Sequence, residues 1–334
     1  MLVRWADLVL ILSRVDLERV LTMRDTISVL ETAFKEQAVG GVVMPNRVSV
    51  PMPKNEGWLG VMPAYVERLE ALSTKIVTSF DRNSSKNLPT IMATVALCDS
   101  TTGELISIME GSYLTAFRTG GLGGLAAKYL SRENAHAVGI IGAGVQARTQ
   151  LMALSEVRKI TSVRVYDVVK ERAAAFAVEM RQKLRVEVQS CSAAAEAVGV
   201  SDIVVTVSTS KEPVFDGDLL NPGTHINAFG NFKPNERELD LKTILKSKVF
   251  VDSKEAVLAE AGDLLIPIRE GKISGSHIFG EIGEVLIGSK PGRRSSDEVT
   301  LFKSVGIGIQ DCAAASLAYA KAKEAGLGTE VSLR

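Results

Sequence analysis

The chain has 334 residues, and its 39 basic and 39 acidic side chains leave no net charge to attract nucleic acid or an anionic membrane. A hydrophobic fraction of 46% is ordinary for a globular chain, and this length suits roughly two domains. Three scattered cysteines, Cys98, Cys191 and Cys312, have no metal or redox spacing, so no metal is expected and free thiols in the cytoplasm are the default.

In chain order, Leu8–Leu12 reads as a strand, too short to span a bilayer. Arg4 precedes it, but no small-residue cleavage site follows, so a signal peptide is not expected. Ser13 and Thr22 look like N-caps for helices over 15–21 and the stretch ended by Gly40 and Gly41. Residues 42–80 read as a meander of short strands, with Arg47 inside the first and Lys75 inside the third. A charge within a strand pattern ordinarily faces solvent. A polar loop over 81–88 precedes Pro89, and residues 90–97 and 105–109 form a hairpin. A helix over 112–130 contains Gly120, Gly121, Gly123 and Gly124 just after Arg118. Each interior glycine costs about 1 kcal/mol of helix propensity relative to alanine, which close packing against a backbone or ligand would explain.

The chain turns on residues 137–150, AVGIIGAGVQARTQ. An apolar strand leads into Gly142, Gly144 and Ala147 in the G-x-G-x-x-A spacing of a dinucleotide site. Gly142 permits the tight turn, Gly144 lets a diphosphate approach, and a helix starting near Val145 and Gln146 points its amides at the phosphates. A second strand ends in Asp167, an acid suited to a ribose hydroxyl and repelling a 2′-phosphate. NAD is therefore favoured, with Lys170 nearby keeping NADP as the alternative. The α/β rhythm continues through strands at 203–207, 224–229, 249–252 and 300–305, with helices at 170–184, 193–197, 241–248, 255–261 and 307–320. Ligands bind at the carboxyl ends of such strands, making Val207, Ser208, Phe229, Phe232 and Val305 candidate pocket walls. The three histidines are scattered and receive no role. The fold expected is a Rossmann-type doubly wound parallel sheet over 125–305. A strand-rich α+β domain over 1–124, completed by 306–334, accompanies it.

The chain resembles the ornithine cyclodeaminase/μ-crystallin family. The likeness is carried by MPNRVSV, GWLGVMPAY, STKIVTSF, FRTGGLGGLAAKYL, GIIGAGVQARTQ, GTHINAFG, EIGEVLIG and LFKSVGIGIQD. It implies a homodimer built through the N-terminal domain, with the active site between two domains. It also implies that Arg47, Lys75 and Arg118 bind a substrate carboxylate, Lys75 and Arg118 being catalytic. Thr90, Arg118, Thr119, Val145, Gln146, Asp167 and Val305 match cofactor contacts. Phe232 stands where cyclodeaminases and archaeal alanine dehydrogenases of the family carry a catalytic aspartate, and phenylalanine transfers no proton. The expected activity is therefore NAD(P)-dependent reduction of a small cyclic 2-imino acid such as Δ1-pyrroline-2-carboxylate. The alternatives are alanine dehydrogenase, ornithine cyclodeaminase, and a non-catalytic nucleotide- and ligand-binding protein.

Overall fold

A computed structural model describes residues 8–86 and 88–333. Arg4, and Asn87 of the polar loop, lie outside the described residues. The chain forms two compact units, Met1–Arg118 with Ile307–Arg334, and Thr119–Gly306.

The first unit opens with β1 (Leu8–Leu12), α1 (Arg14–Val20) and α2 (Met23–Val39). Ser13 and Asp16 close a reciprocal capping box on α1, and Thr22 caps α2. Gly40, at φ +87, ends α2 in the left-handed conformation that glycine adopts without strain. The expected strand over Arg47 is instead two pieces, β2 (Val42–Val43) and β3 (Val48–Met52). Pro45, which has no amide to donate, lies in the irregular link between them, and Arg47 sits on that link. Then come β4 (Gly57–Val66), β5 (Ala71–Phe80), β6 (Ile91–Asp99), β7 (Leu105–Glu110) and α3 (Gly111–Leu130). Along β5, Ala71, Ser73, Lys75, Val77 and Ser79 alternate inward, so Lys75 faces the core rather than solvent.

The second unit continues α3 from Thr119. It contains β8 (Ala137–Ile141), α4 (Val145–Val157), β9 (Ser162–Tyr166), α5 (Lys170–Leu184), β10 (Glu187–Ser190) and α6 (Ala194–Val198). Its second half runs β11 (Ile203–Thr206), β12 (His225–Ala228), α7 (Leu241–Lys246), β13 (Ser247–Val251), α8 (Lys254–Glu260), α9 (Gly262–Arg269), β14 (Ile278–Glu281), α10 (Ile282–Leu286) and β15 (Val299–Lys303). All eight strands pair in parallel, in the order β10-β9-β8-β11-β12-β15-β13-β14. This is a doubly wound Rossmann-type sheet whose order reverses between β8 and β11. Ile140, Val163, Val165, Leu151, Leu154 and Phe176 fill the core of its first half.

The glycine-rich part of α3 has a packing reason. A methyl group on Gly120 would lie 2.6 Å from the Thr149 backbone, and one on Gly123 would lie 1.8 Å from Gln150 Oε1. The buried Gln150 donates through Nε2 to the Thr119 carbonyl at 3.1 Å, and Asn227 donates to that of Gly123 at 3.0 Å. Close helix contact with α4, not a ligand, accounts for these two glycines.

The chain returns to the first unit in α11 (Gly308–Ala325) and β16 (Thr329–Ser332). The first unit's sheet runs β16-β1-β7-β6-β5-β4-β2, with β3 also paired to β4. Its pairs are antiparallel except β1 with β7. Helix α11 lies on the inner face, where Cys312 Sγ reaches the carbonyls of Ala64 and Ala71 at 3.4 and 3.3 Å.

Candidate active site

In the first unit, Lys75 and Arg118 converge on a residue that the sequence reading did not select, Asp311. Lys75 Nζ lies 2.6 Å from Asp311 Oδ2, and Arg118 Nε donates to Oδ1 at 2.9 Å. Arg118 Nη1 also donates to Gln310 Oε1. The exposures of Lys75, Arg118 and Asp311 are 2%, 3% and 0%. Two buried cations thus share one carboxylate, a balance that a bound anion would complete.

Burial, reinforced by the Arg118 charge, pulls the Lys75 ammonium down to about 7, against the opposing effect of Asp311. Burial alone would raise the Asp311 carboxyl, but Arg118 and Lys75 hold it below the ordinary carboxylate range. Arg47 also lowers Lys75 through its charge, and its guanidinium lies 5.8 Å from the Trp58 ring centroid. Thr90 is exposed, and its carbonyl accepts the Phe80 amide at 2.9 Å.

In the second unit, Gly142 adopts φ +98 at the end of β8, and a side chain there would meet the Val207 carbonyl at 2.7 Å. The Gly142 turn therefore sits at the sheet's switch point. A methyl group on Gly144 would meet nothing within 4 Å, so open space lies above it. Val145 is exposed, Gln146 follows it, and no side chain caps the start of α4. Asp167 accepts the Ala143 amide at 2.8 Å through Oδ2 and the Val169 amide at 2.8 Å through Oδ1, tying the glycine turn to the end of β9. An open glycine, uncapped helix amides and a strand-end acid together fit a dinucleotide diphosphate and ribose.

Two further buried carboxylates hold the remaining strand ends. Glu238 accepts from the Ser208 amide and hydroxyl at 2.7 and 2.6 Å, and from the Gly230 amide at 3.0 Å. Burial and nearby Asp263 raise it to about 6. Asp252 accepts from Ser304 Oγ at 2.6 Å and from the amides of Val305 and Gly306 at 3.1 Å each. Lys303 Nζ pairs with Asp263 Oδ2 at 2.7 Å and donates to the Asn231 carbonyl at 2.5 Å. Val207, Ser208, Phe229 and Val305 thus stand at or just beyond the carboxyl ends of β11, β12 and β15, while Thr119 lies in α3. Phe232 is half-buried in the segment following β12. Glu238, Asp252 and Lys303 also escaped the sequence reading. For Asp252 and Lys303 the signal available was an acid or base adjoining a strand end in an otherwise apolar context, whereas Glu238, in the polar segment after β12, carried none.

His225 is buried between Thr300 Oγ1 at 2.9 Å and Asn227 Oδ1 at 3.0 Å, and burial lowers it to about 3. It is a neutral part of the sheet core. Among the described residues no group of three or more His, Cys, Asp or Glu could hold a metal ion, and no helix is long and apolar enough to cross a membrane.

A glycine turn at the switch point of a doubly wound sheet, in a chain that also buries lysine, arginine and aspartate together, defines a Rossmann-type oxidoreductase. Residues 8–326 match the profile of the ornithine cyclodeaminase/mu-crystallin family, and the chain belongs to that family. It is 39% identical over 323 residues to a Δ1-pyrroline-2-carboxylate reductase of Bacillus cereus, covering 96% of this chain and 99% of the relative. The solved Δ1-pyrroline-2-carboxylate reductase of Thermococcus litoralis, in complex with NADH and L-proline, is 46% identical with a TM-score of 0.95, over 96% of this chain and 100% of that one. An archaeal alanine dehydrogenase dimer with bound NAD is 34% identical with a TM-score of 0.93, over 98% of this chain and 100% of that one.

Proposed function

We propose that this protein reduces a small cyclic 2-imino acid, Δ1-pyrroline-2-carboxylate in the first instance, to the cyclic amino acid, using NADH. The observation that carries this reading is the buried Lys75–Arg118–Asp311 cluster, with two cations, one anion and a lysine lowered to about 7. An imino acid offers a carboxylate to complete the charge balance and an imine nitrogen to take a proton. Arg118 and Arg47 orient the carboxylate, and Lys75 holds at Nζ the proton destined for the nitrogen. NADH, when bound, supplies the hydride that saturates the imine carbon. Phe232 adds apolar surface and no acid–base group, which suits reduction of a preformed ring imine over loss of ammonia from ornithine.

Most of the NAD contacts come from the second unit, and the substrate contacts from the first. Gly142, Gly144, Val145 and Gln146 take the diphosphate, and Asp167 the adenosine ribose. Thr90, Arg118, Thr119, Val207, Ser208, Phe229 and Val305 complete the cofactor contacts. The working form is a homodimer joined through the first unit, in the cytoplasm. Cys98, Cys191 and Cys312, all free thiols, suit a reducing compartment.

The test is NADH oxidation with Δ1-pyrroline-2-carboxylate, set against pyruvate plus ammonia. Consumption with the ring imine supports the proposal, whereas consumption only with pyruvate and ammonia would make it an alanine dehydrogenase. Lys75→Ala is expected to lose turnover by at least about a hundredfold while still binding NADH. Normal turnover in that variant removes Lys75 from the chemistry.

A further inference from the structure

We propose that Asp311 is a positioning residue of this reaction: its carboxylate sets the place of the Lys75 ammonium and keeps it protonated, and it orients Arg118. The inference rests on the imino-acid reading above. Asp311 lies in the first turn of α11, an eighteen-residue helix, where the helix dipole favours a negative charge. Oδ2 holds Lys75 at 2.6 Å, while Oδ1 and Oδ2 take Arg118 Nε and Nη2 at 2.9 and 3.4 Å. One carboxylate therefore sets both cations, and Gln310 Oε1 fixes a third corner of the guanidinium fork.

The support behind Asp311 is stiff. A methyl group on Gly308 would meet the Pro63 carbonyl at 3.0 Å, and Cys312 is seated between two strand carbonyls. The start of α11 is thus packed against β4 and β5 with no room to move closer to them. Asp311 stays ionised throughout, since both cations depress it. When Lys75 gives its proton to the imine nitrogen, the carboxylate favours uptake of a proton from solvent at Nζ.

The groups that act on the Lys75 charge are Arg118 from α3, Asp311 from α11 and Arg47 from the link before β3. Its cross-strand neighbours, Met62 and Val95, carry no charge. Arg118 and Arg47 favour loss of the proton, and Asp311 favours keeping it. Reduction needs the proton on Lys75, so kcat/KM falls as pH rises through about 7. Removing the Asp311 charge moves that fall to lower pH.

The experiment follows kcat/KM against pH in the wild type and Asp311→Asn. In parallel, acetic anhydride labelling of Lys75, read by peptide mass spectrometry on the NAD-free protein, reports its protonation directly. The expected result is a midpoint lower by about one pH unit or more in both measurements, with NADH binding retained. A variant that is slower with an unmoved midpoint overturns the proposal and leaves Asp311 a structural ion-pair partner. Asp311→Glu keeps the charge, guarding against failure of the asparagine variant to fold. It is expected to lower kcat about tenfold by displacing Lys75 while leaving the midpoint in place. Unchanged kcat in Asp311→Glu also overturns the proposal. If the wild type does not consume NADH with the ring imine, the reading of the substrate fails, yet the labelling still decides whether Asp311 governs Lys75.

Discussion

Lys75 shows how burial changes the meaning of a residue. Within a strand pattern a lone lysine ordinarily points to water, but this one occupies an inward position of β5 beneath α11. Its identity as a candidate was legible from the matched motif STKIVTSF, whereas its partner Asp311 was not. Arg118 and Asp311 stand 193 positions apart, and no local pattern links them. Glu238 makes the same point in the second unit. Folding raises its carboxyl from 4.5 to about 6. Its contribution to stability is therefore complete below about 4.5 and is lost as pH rises through about 6. Glu238→Gln, which cannot ionise, is expected to lack that part of the decline in Tm between pH 4.5 and 6 when compared with the wild type. It also trades one acceptor oxygen for an amide facing donors, so NADH affinity is expected to weaken about tenfold in a fluorescence titration. Full affinity in the variant would release Ser208 and Gly230 from any dependence on this carboxylate.

At the scale of elements, helices and strands with strong periodicity are legible in the sequence. Lys170–Leu184 forms as expected, and the strands at β8, β9, β11 and β12 fall within a residue or two of their expected bounds. Those missed are weakly patterned. β10 (EVQS) and β16 (TEVS) are short, polar edge strands whose pairing comes from a neighbour rather than from their own alternation. Helix α9 carries Pro267 inside it, which hides a helix from propensity reading. Two glycine substitutions separate packing from binding. Gly120→Ala improves helix propensity, yet its methyl meets Thr149, so a net loss of about 1–3 kcal/mol is expected in denaturant unfolding. Gly144→Ala meets only open space at φ −82, so the protein should fold normally. Its methyl fills the approach to the α4 amides, and NADH affinity is expected to drop about tenfold or more. Wild-type affinity there would move the diphosphate away from this turn.

For the whole molecule, the first unit's sheet has a second face that α11 does not occupy. Val48, Val61, Ile76 and Thr94 stand in one cross-strand row, and Val50, Leu59, Thr78 and Met92 in the next. Val48 is 61% exposed and Ile76 47% exposed. A largely apolar exposed face of this kind suits an interaction surface, one that the proposed homodimer would bury. Ile76→Glu is expected to shift sedimentation from dimer to monomer at micromolar concentration. A variant that sediments like the wild type would place the dimer contact elsewhere. The basic residues of the first unit were marked by their matched motifs; by itself, the sequence determined the parallel α/β alternation, the glycine turn and Asp167 at its strand end. Each is written in short-range spacing that a strand, turn or helix enforces locally. Only the tertiary structure decided that Lys75 turns inward to share Asp311 with Arg118. That pairing arises where α11, coming from the far end of the chain, packs on β4 and β5, a contact set by buried surface rather than by any spacing along the chain.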